Sequence, residues 1–382
     1  MESFVVSARK YRPGTFETVV GQGHVTNTLR NALLLKQLPH AFLFCGPRGV
    51  GKTTCARILA KSVNCSQLSN SGEPCNECES CKTFNEGRSL SIFELDAASN
   101  NGVEDIRNLI ERLRVIPQQG SKSVYIIDEV HMLTTAAFNA FLKTLEEPPP
   151  HAIFILATTE KQKILPTILS RCQKFEFKRI RVNEMATYLQ NIAAQENIPA
   201  EPEALHLIAQ KADGALRDAL SLFDQIVNFS NRNITYEMVL ENLSILDYDY
   251  YFRIVDAIQN QDHETALLTL NQIVEKGFDL YYFLTGLTEH FRNLIIAQSS
   301  KTATILDFPE TVTKRFMLQT SYFPGTFWLN ALNLCWDSEQ KYRNAANTRL
   351  HLELLLIKLV YLNQAIDVAI NTVIEKKKPL NN

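Results

Sequence analysis

Short apolar runs recur along the front half of the chain, at 41–45, 92–95, 123–128, 152–158 and 174–177. Each is rich in β-branched and aromatic residues. Runs of this length, apolar on both sides, predict strands of a parallel sheet covered on both faces. Between them lie segments of helical period at 51–63, 102–114 and 134–147. Strand–helix alternation of this kind predicts an α/β layer. Pro148-Pro149-Pro150 should end the third helix, because proline removes a donor and clashes with the preceding turn. Beyond about residue 180 the strand pattern stops. Short amphipathic segments follow at 183–196, 201–211, 215–228 and 235–243, with a loop at Asn231-Arg232-Asn233. From 245 to 375 the helical segments are longer, and 350–362 is apolar nearly all round, as suits a helix buried in a bundle or an oligomer interface. The expected partition is an α/β domain over 1–179, a small helical domain over 180–243, a larger helical domain over 244–375 and a solvated tail over 376–382 that carries Lys376-Lys377-Lys378.

The 382 residues suit two or three domains. With 45% hydrophobic and 21% charged residues, the composition is that of an ordinary globular protein. No apolar run approaches the ~18 residues of a membrane span. Met1-Glu2-Ser3 opens with an acid and no apolar leader follows, so a cytoplasmic protein is expected. A net charge of −2 excludes a generally basic nucleic-acid coat. The charge is uneven, however: residues 1–180 are mildly basic and the remainder acidic. Ten of the 14 glycines precede residue 121, so tight backbone work is expected near the N-terminus.

Gly46-Pro47-Arg48-Gly49-Val50-Gly51-Lys52-Thr53 matches G-x-x-x-x-G-K-[ST] between an expected strand and an expected helix, the setting in which this motif cradles phosphate. Glycines let backbone N–H groups turn inward, and the helix start adds favourable partial charge. Gly46, Gly49, Val50, Gly51, Lys52, Thr53 and Thr54 form the expected nucleotide-binding set. Lys52 would reach the β- and γ-phosphates and Thr53 would ligate Mg²⁺. The strand at 123–128 ends in Asp128 and Glu129. Asp128 would help hold Mg²⁺ and Glu129 would orient or deprotonate the attacking water. His131 reads as a positioning or packing residue.

Four of the eight cysteines, Cys65, Cys75, Cys78 and Cys81, fall in one C-x₉-C-x₂-C-x₂-C cluster. Four thiolates with no open position imply a structural zinc over residues 65–81. The intervening polar loop could not bury a core of its own, and metal binding would fold it. An iron–sulfur cluster or a disulfide pair remain alternatives. Cys45, Cys55, Cys172 and Cys335 sit in apolar or helical surroundings and read as core residues.

Asp128-Glu129-Val130-His131 after the phosphate loop resembles the AAA+ ATPases. Ser170-Arg171-Cys172, Ala157-Thr158-Thr159 and Gly214-Ala215-Leu216-Arg217-Asp218-Ala219 resemble the SRC, sensor-1 and sensor-2 motifs of clamp-loader ATPases. Tyr11-Arg12-Pro13, Phe16 and Gly21-Gln22 resemble their N-terminal segment, which closes over adenine. With the cysteine cluster, the chain resembles the gamma/tau family of bacterial DNA polymerase III clamp-loader subunits, strongly over 4–245 and beyond that by helical character.

That resemblance implies an ATP-driven subunit of a hetero-pentamer, with a helical lid over 180–243 and an all-helical collar over 244–375. Its partners would be delta- and delta-prime-type subunits, a sliding clamp and primer–template DNA. Arg171 would point at a neighbour's ATP and act in trans. Arg217 would contact the γ-phosphate in cis. Thr158 or Thr159 would place a hydroxyl near it, with Thr158 the assigned residue, and Tyr11 and Arg12 would border the base. Expected cofactors are ATP, Mg²⁺ and structural zinc. Residues 99–102 precede a helix start that could track DNA phosphate, although an ordinary N-cap ahead of Glu104-Asp105 fits equally well. Tau-type relatives continue further, to bind helicase and polymerase, and no such tether is expected of these residues. Two other readings remain: a branch-migration type AAA+ motor, and a non-catalytic clamp-loader scaffold, which the intact Lys52, Thr53, Asp128 and Glu129 oppose.

Overall fold

The computed structural model describes residues 6–113, 122–243, 246–306, 308 and 310–366. Met1-Glu2-Ser3, Arg114, the last residues of the expected collar and the lysine tail lie outside these. The described residues divide into two compact units at Thr235/Tyr236.

In the first unit five strands form one parallel sheet: β1 (Ala41–Cys45), β2 (Ile92–Asp96), β3 (Ser123–Asp128), β4 (Ala152–Thr158) and β5 (Gln173–Glu176). The order is β2-β3-β4-β1-β5. Parallel neighbours cannot be joined by hairpins, and helices make the crossovers. They span Lys52–Val63, Val103–Arg112 and Thr135–Glu146, within two residues of the expected limits. The Thr134 hydroxyl caps the last of these by accepting from the Ala137 N–H at 3.2 Å. Its far end stops just short of the triple proline.

Two apolar cores cover the two faces of the sheet. Alternate residues of β1 serve each side, with Phe42 and Phe44 in one core and Ala41, Leu43 and Cys45 in the other. β5 departs from the expected covered strand. It is an edge strand in which only Phe175 is buried, while Gln173, Lys174 and Glu176 face water. The alternation in Lys174-Phe175-Glu176-Phe177 carries this one-sided burial.

The register aligns strand ends: Cys45 pairs with Thr158 and Asp96 with Asp128. In open α/β sheets a ligand crevice lies beyond the carboxyl ends, where the chain order reverses. The phosphate loop leaves β1 at that edge. The helices Val182–Gln195, Pro202–Lys211 and Leu216–Phe229 complete this unit.

The second unit is helical, with long helices at Tyr248–Gln259, His263–Glu275, Leu280–Ala297, Gly325–Tyr342 and Thr348–Val360 around a separate core that includes Trp328 and Phe291. The apolar segment near 350 is not buried all round. Leu352, Leu355, Leu356 and Leu359 face the core, while Leu350 and Leu354 stay half exposed. No helix among the described residues is long and apolar enough to cross a membrane.

Gly286 lies where two helices of this unit meet, and a Cβ there would come within 2.0 Å of the Tyr251 hydroxyl. Gly286→Ala should therefore force Tyr251 aside and destabilise the protein by about 1–3 kcal/mol. Urea denaturation checks this, and an unchanged midpoint would contradict the close packing.

Candidate nucleotide site and cysteine cluster

The loop between β1 and the helix Lys52–Val63 turns on left-handed glycines, with φ of 152° at Gly46, 76° at Gly49 and 103° at Gly51. At Gly46 space also excludes a side chain, since a Cβ would sit 2.4 Å from the Phe177 carbonyl oxygen. Lys52 is 6% exposed. Its ammonium donates to the carbonyls of Gly46 at 2.8 Å and Pro47 at 2.7 Å. Burial lowers its pKa, and Glu129 and Asp128 oppose that shift. A cation held over a ring of loop backbone suits phosphate oxygens.

The Thr53 hydroxyl donates to Asp128 Oδ2 at 2.6 Å. Two adjacent ligand oxygens on one octahedral Mg²⁺ stand about 3 Å apart, so this pair of hard donors fits that ion. Asp128 Oδ1 accepts the Glu129 N–H at 3.0 Å. Glu129 has φ of 48°, a left-handed backbone for a non-glycine residue. Such a conformation costs about 1–2 kcal/mol and turns its side chain off the strand line. Glu129 Oε2 then accepts from the Thr159 N–H at 3.2 Å and the Thr159 hydroxyl at 3.0 Å. His131 Nδ1 lies 3.0 Å from the Thr158 hydroxyl and 3.4 Å from Glu129 Oε2, with Nε2 3.3 Å from Glu160. It is in contact with the Thr158 hydroxyl and with both acids, Glu129 and Glu160.

A cavity of 360 Å³ opens beside these groups. One end is polar and carries Gly49, Val50, Gly51, Lys52, Thr53 and Thr54 of the loop with Asp128 and Glu129. The other end carries Pro13, Val20, Ile180, Leu216 and Leu220. Tyr11, Arg12 and Arg217 line it as well. Arg12 Nε donates to the Thr54 hydroxyl at 3.3 Å. Burial, then the nearby Arg57, lowers the pKa of the Arg12 guanidinium. The Arg217 N–H donates to the Gly49 carbonyl at 3.3 Å, which ties the lid helix to the loop.

The N-terminal segment reaches across from the lid side. The Ser7 N–H donates to Asp224 at 2.7 Å, and the Tyr188 hydroxyl donates to the Tyr11 carbonyl at 2.9 Å. The Tyr11 hydroxyl and the Lys10 ammonium both bond Glu196. Gln22 Nε2 donates to the Lys178 carbonyl at 2.7 Å. Tyr11 and Gln22 belong to the motif read from the sequence, whereas their partners Tyr188 and Glu196, and the Ser7–Asp224 pair, had no sequence signal beyond isolated polar residues.

Three of the sequence candidates do not line the cavity. Gly46 backs onto Phe177. Thr158 is fully buried and turned to His131, so the hydroxyl that reaches the catalytic-type acid belongs to Thr159. Arg171 lies elsewhere: Nη2 pairs with Glu146 at 2.7 Å, Nη1 donates to the Thr167 carbonyl at 2.7 Å, and the side chain is one-third exposed.

The Sγ atoms of Cys65, Cys75, Cys78 and Cys81 all lie within 4.8 Å of one another. Tetrahedral thiolates about 2.3 Å from zinc stand about 3.8 Å apart, so the cluster fits that ion. All eight cysteines are free thiols. Cys45, Cys55, Cys172 and Cys335 are buried in the cores, as expected. At the helix Val103–Arg112, Asp105 accepts the Gly102 N–H at 3.1 Å, and Glu104 and Asp105 occupy the first turn. This end carries an acidic first turn, which complements the positive end of the helix.

Three family models match in succession. That described as "DNA polymerase III, delta subunit" matches residues 21–181. The clamp loader subunit ATPase lid domain matches 184–232, and domain III of subunits gamma and tau matches 234–369. DNA polymerase III subunit tau of Bacillus subtilis is 40% identical over 94% of this chain, which spans 63% of that relative's length. DNA polymerase III subunit gamma of Buchnera aphidicola is 41% identical over 77% of this chain and 79% of its own. Among solved structures, the RuvB branch migration motor of Thermotoga maritima is similar at a TM-score of 0.47 and 20% identity, covering 65% of this chain and 79% of that one. With two-fifths identity running along most of a gamma subunit, and family models following one another from residue 21 to 369, this chain belongs to the gamma/tau family of DNA polymerase III subunits.

Proposed function

We propose that this chain is the ATP-hydrolysing subunit of a clamp loader, which in a hetero-pentamer with delta- and delta-prime-type subunits opens a sliding clamp and loads it onto primer–template DNA in the cytoplasm. The observation that carries the reading is one cavity with Lys52, Thr53, Asp128 and Glu129 at its polar end while Arg171 stands outside it. A single chain then has the groups to grip a triphosphate and lacks the cation that completes hydrolysis. The proposed partition is a nucleotide domain over 1–179, a lid over 180–243 and a collar over 244–375.

Backbone N–H groups of residues 49–54 and the Lys52 ammonium would cradle the phosphates. Thr53 and Asp128 would hold Mg²⁺, which neutralises charge on the phosphate oxygens when bound. Glu129 would orient the attacking water and take its proton. Thr159 engages that carboxylate through Oε2 alone. Arg217 reads the phosphate end from the lid of the same chain. Arg171 of a neighbouring subunit supplies the last cation in trans. Binding energy enters as differential affinity: the ATP-bound assembly favours the clamp, and DNA completes the catalytic geometry. Cys65, Cys75, Cys78 and Cys81 would hold a structural zinc.

Two measurements test this reading. In the reconstituted assembly, Lys52→Ala and Arg171→Ala should each lower turnover by on the order of 10³-fold, with Arg171→Ala leaving ATP affinity unchanged. Mixing the two variants should restore part of the activity, because one contributes the loop and the other the arginine. Absence of recovery would remove the trans role. The second measurement is alkylation at pH 8. Burial pushes the Cys55 and Cys172 thiols up to about 12, and it also raises those of Cys45 and Cys335. Chelator treatment of the native protein should expose only the four cluster thiols, and mass spectrometry locates them. Labelling of Cys55 or Cys172 ahead of the cluster would contradict this assignment.

A further inference from the structure

Residues 12–22 supply Arg12, Pro13, Val19 and Val20 to the cavity, yet they form neither helix nor strand. Irregular backbone of this kind holds its place only through outside partners. The lid holds its beginning through Tyr11, and Gln22 holds its end. Its middle is held by Glu73, a residue of the cysteine loop that is 8% exposed. Glu73 Oε2 accepts the Phe16 N–H at 2.7 Å, and Oε1 accepts the Glu17 N–H at 3.1 Å. One carboxylate thus takes two successive backbone donors, one on each oxygen, in a charge-assisted fork. Arg30 Nη1 completes the arrangement at 3.5 Å from Oε1.

Apolar packing runs the same way. Phe16 is 1% exposed and shares a core with Val19, with Leu68 of the cysteine loop and with Phe84 just beyond it. The two ends of the loop meet, the Cys75 N–H donating to Cys65 Sγ at 3.4 Å. Ser69 and Glu73 close one turn through the Ser69 N–H to Glu73 carbonyl bond at 3.0 Å and the Glu73 N–H to Ser69 hydroxyl bond at 2.9 Å. Gly72 has φ of 78° and lies against the Arg30 backbone, where a Cβ would meet the Arg30 carbonyl oxygen at 3.2 Å. Cys65 and Cys75 stand at the two ends of this loop, and Glu73 is two residues from Cys75. A metal on the four thiols would fix both ends, and with them the position of the Glu73 carboxylate.

We propose that Glu73 is a positioning residue for nucleotide binding: it couples the cysteine cluster to the segment that closes the apolar end of the cavity, so that metal on the cluster raises nucleotide affinity. The inference rests on reading this cavity as the nucleotide site. The loop around Lys52 grips phosphate, and the segment fixed by Glu73 borders the remainder of the ligand. Loss of the fork therefore weakens a diphosphate and a triphosphate alike. Loss of a phosphate contact at the polar end would discriminate between them.

The test is titration of the purified full chain with fluorescent ADP and ATP analogues, with zinc content measured on each sample. Zinc-loaded Glu73→Ala should bind both nucleotides about tenfold more weakly than wild type, because the Phe16 and Glu17 N–H groups lose their acceptor. Stripping zinc from wild type with a chelator should weaken binding by a similar factor, while stripping Glu73→Ala should add less than about twofold. Glu73→Gln keeps one carbonyl acceptor and should fall between the two; it also supplies the comparison if Glu73→Ala does not fold. A residue that served only local folding would not abolish the chelator effect. Nucleotide affinity in zinc-loaded Glu73→Ala equal to wild type, or wild-type affinity unmoved by stripping, would overturn the coupling. Zinc-loaded wild type that binds neither nucleotide would instead overturn the reading of the cavity.

Discussion

The Thr53 hydroxyl and Asp128 Oδ2 meet at 2.6 Å across a separation of 75 residues. Nothing local brings them together. Parallel pairing does so, because β1, β4 and β3 lie side by side in register and release their chains at one edge. The phosphate loop and the paired acids then share a single rim of the sheet. Had any strand slipped by one residue, every side chain on it would have changed faces. The apolar cores on both faces prevent that slip, so the chemistry of the rim depends on burial far from it.

Around this rim the structure stores local strain and local restraint. Glu129 sits on a left-handed backbone, a conformation that persists only where the surroundings determine it. Its carboxylate is engaged by Thr159 on one side and faces His131 on the other. The carboxylate is thus held between the end of β4 and the turn that follows β3. Lys52 is likewise engaged by backbone carbonyls of its own loop. Both groups are thus held by hydrogen bonds with neighbouring parts of the chain itself.

The N-terminal segment joins parts that are distant in sequence. It is held by the lid through Asp224, Tyr188 and Glu196, by the cysteine loop through Glu73, and by the sheet edge through Gln22. Each anchor is a polar contact between residues far apart in sequence. Individually such contacts contribute about 0.5–1.5 kcal/mol. Together they fix the apolar end of the cavity with no core of their own. Arg171 is treated differently: Glu146 and the Thr167 carbonyl hold it on the surface, away from its own chain's cavity.

The sequence by itself determined the strands, the phosphate loop, the acids and the cysteine cluster, because each is written within a few neighbouring residues. Apolar runs of strand length, glycines at fixed spacing and paired C-x-x-C steps carry their chemistry locally. β5 was legible as a strand but not as an edge, since exposure depends on which neighbour is missing. The choice between Thr158 and Thr159 was equally invisible: adjacent residues of a strand end face opposite ways, and only the position of Glu129 and His131 decides which hydroxyl meets which acid. The helix Thr348–Val360 was read from its composition as buried in a bundle or an oligomer interface, and which of its leucines face the core, and which stay half exposed in the single chain, depended on what packed beside it. Glu73, Glu146, Tyr188 and Asp224 carried no signal at all. They are ordinary polar residues in ordinary local contexts, and their partners lie between 25 and 217 residues away. Tertiary structure alone could assign them, because a hydrogen bond is specified by position in space and the sequence records only order along the chain.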